Sequence, residues 1–407
     1  MSQWRWREGN QLRLLENGEQ YFPAVFAAIA AATDEVLIET FILFEDCVGA
    51  ELEAAMAVAA RRGAHVALTV DGYGSENLSA AFIERMQALG IALQMFEPFP
   101  RLLGNRINLF RRLHHKIVVV DHRIAFVGGI NFSEDHLLAS GPKSKQDYAV
   151  EVRGPLVGDI REVVLSLAQT RSRRFSWLRS WRPLSQPVAT AGGRPAVALV
   201  ATRDNHSHFD DIERLYRIAI RSSRERVVIA NAYFFPGYRL LHELMRAARR
   251  GVRVQLVLQG NPDMPLVRYI TQTLYARLAA AGVEIHEYWE RPIHAKVAVI
   301  DGVWATVGSS NLDPLSLALN LEANVFIADA VFAQELGGRL DRLIEHSCEK
   351  LDPLSFGKPG WWGVFLGFVA YHVSRYFPRL ARQLPAPMPH QKTLSEASPI
   401  AITERHL

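Results

Sequence analysis

The sequence predicts an α/β protein of two repeats, each a mixed β-sheet flanked by helices, packed as a pseudo-twofold pair around one shared active site. Three observations predict it. A frame of polar residues, His114, Lys116, Asp121, Gly128 and Asn131, recurs 180 positions later as His294, Lys296, Asp301, Gly308 and Asn311. The pentapeptide AARRG closes a helix-periodic stretch at 59–63 and again at 247–251. Runs of β-branched and aromatic residues alternate with those stretches, the pattern of strands covered by helices on both faces.

Taken in chain order, VLIETFIL at 36–43 and VVIANAYF at 227–234 read as strands. Each leads into a helix that stops at AARRG, where glycine ends the helix and basic residues fill its last turn. Strands at 65–72 and 252–260 follow, then helices around 80–90 and 269–282, third strands near 92–97 and 283–288, and finally the polar frame. The repeats span 1–170 and 195–350. Between them, 171–194 turns basic and aromatic and then rich in Pro, Ala and Gly, which reads as a linker. Residues 351–407 form a C-terminal segment and tail. Its stretch 359–374 carries no Asp, Glu, Lys or Arg, about 16 residues against the roughly 20 that span a bilayer. Two readings stand for 359–377: a segment lying in a membrane interface, or a helix packed on the body.

Composition narrows the class. With 407 residues, 49% hydrophobic and 22% charged, the chain can bury two sizeable cores. Cys47 and Cys348 have no partner spacing, so neither a disulfide framework nor a cysteine metal site is encoded, and a reducing compartment fits. The N-terminus lacks the apolar run of a secretory signal, so the catalytic part is expected to remain in the cytoplasm. A net charge of +4 and a pI near 9.1 favour polyanions or anionic membranes without separating them.

The doubled frame carries the chemistry. His114 and Lys116 are two apart and share a strand face, while Ile117 to Val120 is the continuous apolar run of a buried central strand. Gly128, Gly129 and Asn131 suit a tight turn where backbone approaches a ligand. Phosphoryl transfer through a covalent intermediate needs a nucleophile, a general acid and several donors around the phosphate oxygens. Two half-sites related by a pseudo-twofold supply each item once per half.

The spacing His-x-Lys-x4-Asp-x6-Gly-x2-Asn, present twice, resembles the signature of the phospholipase D superfamily, and the surrounding repeats extend the resemblance over most of 10–350. The resemblance implies that both motifs meet in one cleft, that one histidine forms a phosphohistidine and the other protonates the leaving group, and that no metal or cofactor takes part. It casts His114 as nucleophile, His294 as general acid and later base, and Lys116, Lys296, Asn131 and Asn311 as the phosphate clamp. Asp121 and Asp301 complete the catalytic motif and read as its scaffolding. A catalytic imidazole needs a carboxylate to fix its tautomer. The resemblance offers Asp147, 33 positions after His114, and Glu322, 28 positions after His294, one downstream of each motif.

Text around the motifs, including IETFILFEDCVG, LTVDGYGS and SNLDPLSLALNLEANV, resembles bacterial cardiolipin synthases of the subtype called B. That resemblance implies transfer of a phosphatidyl group between two phosphatidylglycerols to give cardiolipin and glycerol. Its setting would be an anionic phospholipid membrane, with the protein peripheral on the cytoplasmic face of the bacterial inner membrane and no nucleic acid bound. Phospholipase D-type hydrolysis, a phosphatidylethanolamine donor and a nuclease stand as alternatives. His115 and His122 read as surface or pocket residues, and His206 and His208 as part of an exposed loop. Arg112 is open between headgroup binding and plain basicity, and Tyr233 between site and core.

Overall fold

The computed structural model describes residues 4–97, 101–102, 105–106, 112–169, 195–204, 208–260, 274–313, 316–317, 319–352 and 391–395. The linker reading at 171–194, His206, and the uncharged segment 359–377 lie outside the described residues. The first half contains β1 (Arg7–Glu16), α1 (Asn17–Ala30), β2 (Glu35–Thr40), α2 (Cys47–Arg61), β3 (His65–Asp71), α3 (Ala80–Ala88) and β4 (Ala92–Phe96). It continues with the short hairpin β5 (Arg101–Leu102) and β6 (Asn105–Arg106), then β7 (Ile117–Val120), β8 (Ile124–Gly128), β9 (Tyr148–Arg153) and α4 (Leu156–Gln169). The second half contains β10 (Ala196–Arg203), α5 (Asp211–Ser222), β11 (Arg226–Asn231), α6 (Tyr238–Arg249), β12 (Arg253–Gln259) and β13 (Glu284–Tyr288). There follow β14 (Lys296–Ile300), β15 (Trp304–Gly308), β16 (Glu322–Ala328), α7 (Ala330–Ser347), β17 (Cys348–Lys350) and β18 (Gln391–Ser395).

Sixteen of these strands run through one mixed sheet in the order β17-β13-β12-β11-β14-β15-β16-β10-β1-β9-β8-β7-β2-β3-β4-β18. Read outward from the β10–β1 junction, the two arms have the same order. In each, three parallel strands (β2, β3, β4 or β11, β12, β13) sit beside an antiparallel hairpin (β7–β8 or β14–β15). The arms join because β1 is shared, pairing with β10 near Arg7 and Asn10 and with β9 from Gln11 onward. The register shifts between Arg7 and Asn10, where Gly9 has a φ of 82°, and the bulge lets the sheet bend there.

Bending brings the inner faces together, so β8 and β9 pack on β15 and β16. The result is three principal hydrophobic cores rather than the two that composition suggests: one under the outer helices of each half, and a central one between the arms that also takes in α4 and α7. This explains why β7 and β14 read as unbroken apolar runs. Ile117 and Val119 enter the central core while Val118 and Val120 enter the outer core of the first half. Val297 and Val299 face the central core while Ala298 and Ile300 face the outer core of the second half.

Helices α2 and α6 stop at their AARRG sequences, with Gly63 and Gly251 in left-handed conformations at φ 89° and 92°. Both outer sheet edges are covered by late chain, β17 on β13 and β18 on β4. The tail therefore contributes a strand to the first half, which the sequence did not suggest. Cys47 and Cys348 are both free.

Candidate active site

Each motif histidine stands immediately before the first strand of a hairpin, His114 ahead of β7 and His294 ahead of β14. The motif aspartates close the far end of those strands. Asp121 and Asp301 sit in the hairpin turns with φ of 49° and 51°. The Asp121 carboxylate accepts the backbone N–H groups of Thr33, Asp34 and Glu35, and that of Asp301 accepts those of Arg224, Glu225 and Arg226. Counted with the catalytic motif by sequence, both are removed from the chemistry by a strand's length, and they anchor the starts of β2 and β11.

The histidine and carboxylate partners are exchanged between the halves. His114 Nδ1 lies 2.9 Å from Glu322 of the second half, and His294 Nδ1 lies 2.6 Å from Asp147 of the first. Pairing each carboxylate with its own upstream histidine, as sequence order implies, is thus corrected. The backbone imposes the exchange. His114 N–H donates to the carbonyl of Leu321, next to Glu322, and Leu321 N–H donates to Arg112. His294 N–H donates to the carbonyl of Gln146, next to Asp147, and Gln146 N–H donates to Pro292. Two short parallel bridges, Leu113 with Leu321 and Gln146 with Ile293, lock the arms at the site.

The motif glycines make room for protein rather than forming a turn at a ligand. Neither Gly128 nor Gly129 has a positive φ. A Cβ on Gly128 would lie 2.5 Å from Ala149 Cβ, and one on Gly308 would lie 2.3 Å from the Asn324 side chain. At the next position the halves diverge. A Cβ on Gly129 would lie 2.4 Å from Asp147 Oδ1, whereas its counterpart Ser309 donates its hydroxyl to Glu322 at 2.6 Å. The shorter carboxylate needs a bare backbone beside it, and the longer one receives a hydroxyl.

Lys116 and Lys296 are 2% and 0% exposed, and each Nζ donates to the carbonyl of its own motif histidine. Burial lowers Lys116 to about 7 and Lys296 to about 8, with Glu322 and Asp147 pulling in the opposite direction. The two carboxylates respond differently to the same burial. At Asp147 burial prevails over Lys296 and the Tyr148 N–H and raises it to about 7. At Glu322 burial is outweighed by His114, Lys116 and the hydrogen bonds from His114 and Ser309, so it stays below the usual glutamate value. Burial holds His114 down to about 4 and His294 well below its ordinary value. Near neutral pH the His114–Glu322 pair is therefore an imidazole beside a carboxylate, while the His294–Asp147 pair takes up one further proton, which belongs to the pair.

Asn131 and Asn311 are buried; Asn131 Oδ1 accepts the N–H of Ile42, and Asn311 Oδ1 has no partner among the described residues. Several contributors carried no motif signal. Phe41 places its ring 4.9 Å from the His114 ring and 5.2 Å from Lys116 Nζ, with Arg112 at 5.9 Å. Asn17, in a left-handed conformation, donates its N–H to the Asp147 carbonyl and accepts the Asp147 N–H on its side-chain Oδ1. Asn231, at the end of β11, accepts Leu312 N–H and leaves its amide nitrogen buried without a partner among the described residues. His136, fully buried, stands edge-on to His294 with ring centroids 5.5 Å apart.

Of the other candidates, Arg112 stacks on Tyr73 at 3.8 Å, and Tyr233 is half-buried. His122 is partly buried, 3.4 Å from Glu35. His115 is more than a pocket residue. It is 5% exposed, bonded to Glu39 at 2.7 Å, and it borders a cavity of about 460 Å³ between the halves that also touches Arg203, His208 and Leu321. Neither motif histidine lines that cavity. His208 is tied to Asp211 at the start of α5.

His136, Asp147 and His294 bring a nitrogen or oxygen each within 4.8 Å of one another, a spacing that a metal ion could bridge. Lys116, Lys145 and Lys296 act on the same spot. Three lysines beside one carboxylate favour an oxyanion there over a metal.

This geometry agrees with the comparisons. The family model described as cardiolipin synthase, PLD-like domain, matches residues 25–163 and 216–344. The chain is 50% identical to cardiolipin synthase B of Salmonella typhi over 95% of its own length and 92% of the relative's. It is 49% identical to cardiolipin synthase B of Escherichia coli K12 over 97% and 94% of the two chains. Among solved structures, phosphatidylserine synthase of Haemophilus influenzae superposes with a TM-score of 0.63 at 14% identity, covering 92% of this chain and 95% of that one. Polyphosphate kinase of Porphyromonas gingivalis gives 0.54 at 17% identity, covering 85% and 49%. At such identities these two speak for the fold alone. Two complete motifs, two exchanged histidine–carboxylate pairs and close relatives along nearly the whole chain lead to one assignment: the protein belongs to the cardiolipin synthase family of the phospholipase D superfamily.

Proposed function

We propose that the protein is a cardiolipin synthase that condenses two phosphatidylglycerols to cardiolipin and glycerol through a phosphohistidine. The observation that carries the reading is the meeting of both motifs in one site, where each histidine is held through Nδ1 by a carboxylate of the opposite half. A nucleophile must be neutral, and His114 donates Nδ1–H to an ionised Glu322 and keeps Nε2 unprotonated for attack. A general acid must hold a proton to give, and the His294–Asp147 pair holds one near neutral pH.

His114 Nε2 bonds to phosphorus, the bond from phosphorus to the glycerol oxygen breaks, and the His294 pair protonates that oxygen. A primary hydroxyl of the second phosphatidylglycerol then gives its proton back to His294 and attacks phosphorus, and the phosphorus–nitrogen bond breaks to release cardiolipin. Lys116, Lys296, Asn131 and Asn311 surround the phosphate, where fixed donors stabilise charge without reorganising. Transfer outcompetes hydrolysis when water is kept from the phosphohistidine, a role for a lipid surface over the cleft. The basic aromatic stretch 171–181 and the uncharged segment 359–377 are proposed as membrane contacts of a peripheral protein on the cytoplasmic face of the inner membrane. No described helix is long and apolar enough to cross a membrane.

Incubation with phosphatidylglycerol liposomes is expected to give cardiolipin and free glycerol in equal amounts. Phosphatidic acid alone would move the assignment to hydrolysis. Product that requires phosphatidylethanolamine would change the donor, and intact lipid beside cleaved oligonucleotide would refute the lipid reading. For the division of labour, His294→Ala with an activated phosphodiester should still trap a phosphohistidine while His114→Ala should not, and the reverse pattern exchanges the roles.

A further inference from the structure

His136 belongs to neither motif, yet it stands in the centre of the site. Ser133 starts its short 3-10 helix, Glu134–His136, and Gly18 lets α1 come so close that a Cβ there would lie 2.7 Å from the His136 carbonyl. Its ring orientation follows from one bond. Asn131, the last residue of the first motif, donates its backbone N–H to His136 Nε2 at 3.2 Å. A nitrogen that accepts carries no proton, so the neutral ring bears its hydrogen on Nδ1. That Nδ1–H is fully buried and meets no partner among the described residues. A buried donor is rarely left unmatched, so an empty one at a functional centre marks the position of a ligand acceptor.

The surroundings specify that acceptor. The ring stands edge-on to His294 at 5.5 Å, with the Asp147 carboxylate within 4.8 Å, and Lys145, Lys296 and Lys116 are the charges that lower its basicity. Three lysines around one buried carboxylate favour an anion, and the anion that the proposed reaction brings to this cleft is a phosphate. We infer that His136 is a third histidine of the site, a neutral donor whose Nδ1–H binds a non-bridging phosphate oxygen beside His294. Its Nε2 meanwhile fixes the loop that carries Asn131, so one ring serves the first motif and the phosphate held between the two. His114 has a different ring neighbour, Phe41, at 4.9 Å. The inference rests on the phosphatidyl-transfer reading above for the identity of the phosphate, but not for its charge.

Three substitutions separate the functions of the ring. His136→Phe keeps its shape and removes both nitrogens, His136→Asn retains a donor near the Nδ1 position, and His136→Gln retains a polar group near Nε2. Two readouts are needed: kcat/KM on phosphatidylglycerol liposomes, and the dissociation constant for sulfate, a tetrahedral oxyanion that does not titrate near neutral pH, by calorimetry on the full chain. His136→Phe is expected to lose about 10²-fold in kcat/KM, the loss typical of one preorganised donor, and to weaken sulfate about tenfold. His136→Asn should recover most of both, and His136→Gln should resemble His136→Phe. Near-wild-type values for His136→Phe overturn the inference. So does recovery by Gln in place of Asn, which would make the ring a loop brace, or failure of Asn to recover anything. If the wild type forms no cardiolipin, the proposed function fails while the sulfate series still judges His136. If it forms cardiolipin and the series leaves sulfate binding unchanged, this inference alone falls.

Discussion

Gly129 offers a way to disable one half of the mechanism and leave the other intact. In Gly129→Ala the new Cβ would lie 2.4 and 2.5 Å from the two Asp147 carboxylate oxygens. Nonbonded atoms keep roughly 3.5 Å apart, so the carboxylate must retreat by about 1 Å. Its hydrogen bond to His294, now 2.6 Å, would stretch to about 3.6 Å and cease to be one. A displacement of about 1 Å in a positioning group costs about 10²-fold in rate, or about 2.7 kcal/mol of barrier. The clash is with a side chain, so the fold should survive, which a thermal melt checks. The assay is rapid-quench kinetics with a phosphodiester whose leaving group needs no protonation. Gly129→Ala should retain the burst that reports phosphohistidine on His114 and lose about 10²-fold in turnover of phosphatidylglycerol. The companion Ser309→Ala removes the hydroxyl that Glu322 accepts and should slow the burst itself. Turnover above a third of wild type in Gly129→Ala, or loss of its burst together with turnover, would refute the exchanged pairing as the basis of the mechanism.

The pH profile of kcat should fall as pH rises through about 7, because the His294–Asp147 pair holds its transferable proton below that value and loses it above. Asp147→Asn should slow the reaction and move this limb to lower pH; an unmoved limb would reassign it to the lysines. Sulfate binding at pH 8 should take up protons, since burial depresses Lys116 and Lys296 to about 7 and 8 and a bound anion raises them again. Calorimetry in two buffers of different ionisation enthalpy measures this, and zero uptake counts against charged lysines in the clamp. Asp121→Ala should cost about 1–2 kcal/mol in urea unfolding, discounted for its partial exposure, with kcat of the folded protein little changed. The Asp121 pKa lies below the ordinary aspartate value, so this contribution is complete above about 4 and is lost as pH falls through the folded value.

Much of this was legible in the sequence because duplication writes a constant frame against a drifting background. The recurring His, Lys, Asp, Gly and Asn marked the site, and AARRG marked two equivalent helix ends. What stayed hidden is spatial. Sequence separation shows how far Glu322 lies from His294, but only the bridges Leu113–Leu321 and Gln146–Ile293 reveal that it serves His114. Gly129 looks like a turn residue until Asp147 occupies the space beside it. His136 follows the motif by five positions in a polar loop, and its importance comes from a tautomer fixed by a backbone amide, which composition does not encode. Strand β18 is separated from its partner β4 by almost 300 residues, beyond the reach of any local pattern.

The exchange of partners between the halves bears on what duplication made possible. Two identical copies related by a true dyad would give both histidines the same carboxylate and the same neighbour beside it, and hence the same proton affinity. A single chain encodes the halves at separate positions, so Gly129 can accompany Asp147 while Ser309 accompanies Glu322. Because each histidine borrows from the opposite half, a substitution in one repeat is read out as chemistry in the other, and neither repeat could be replaced by a copy of its sibling without making the two histidines alike again.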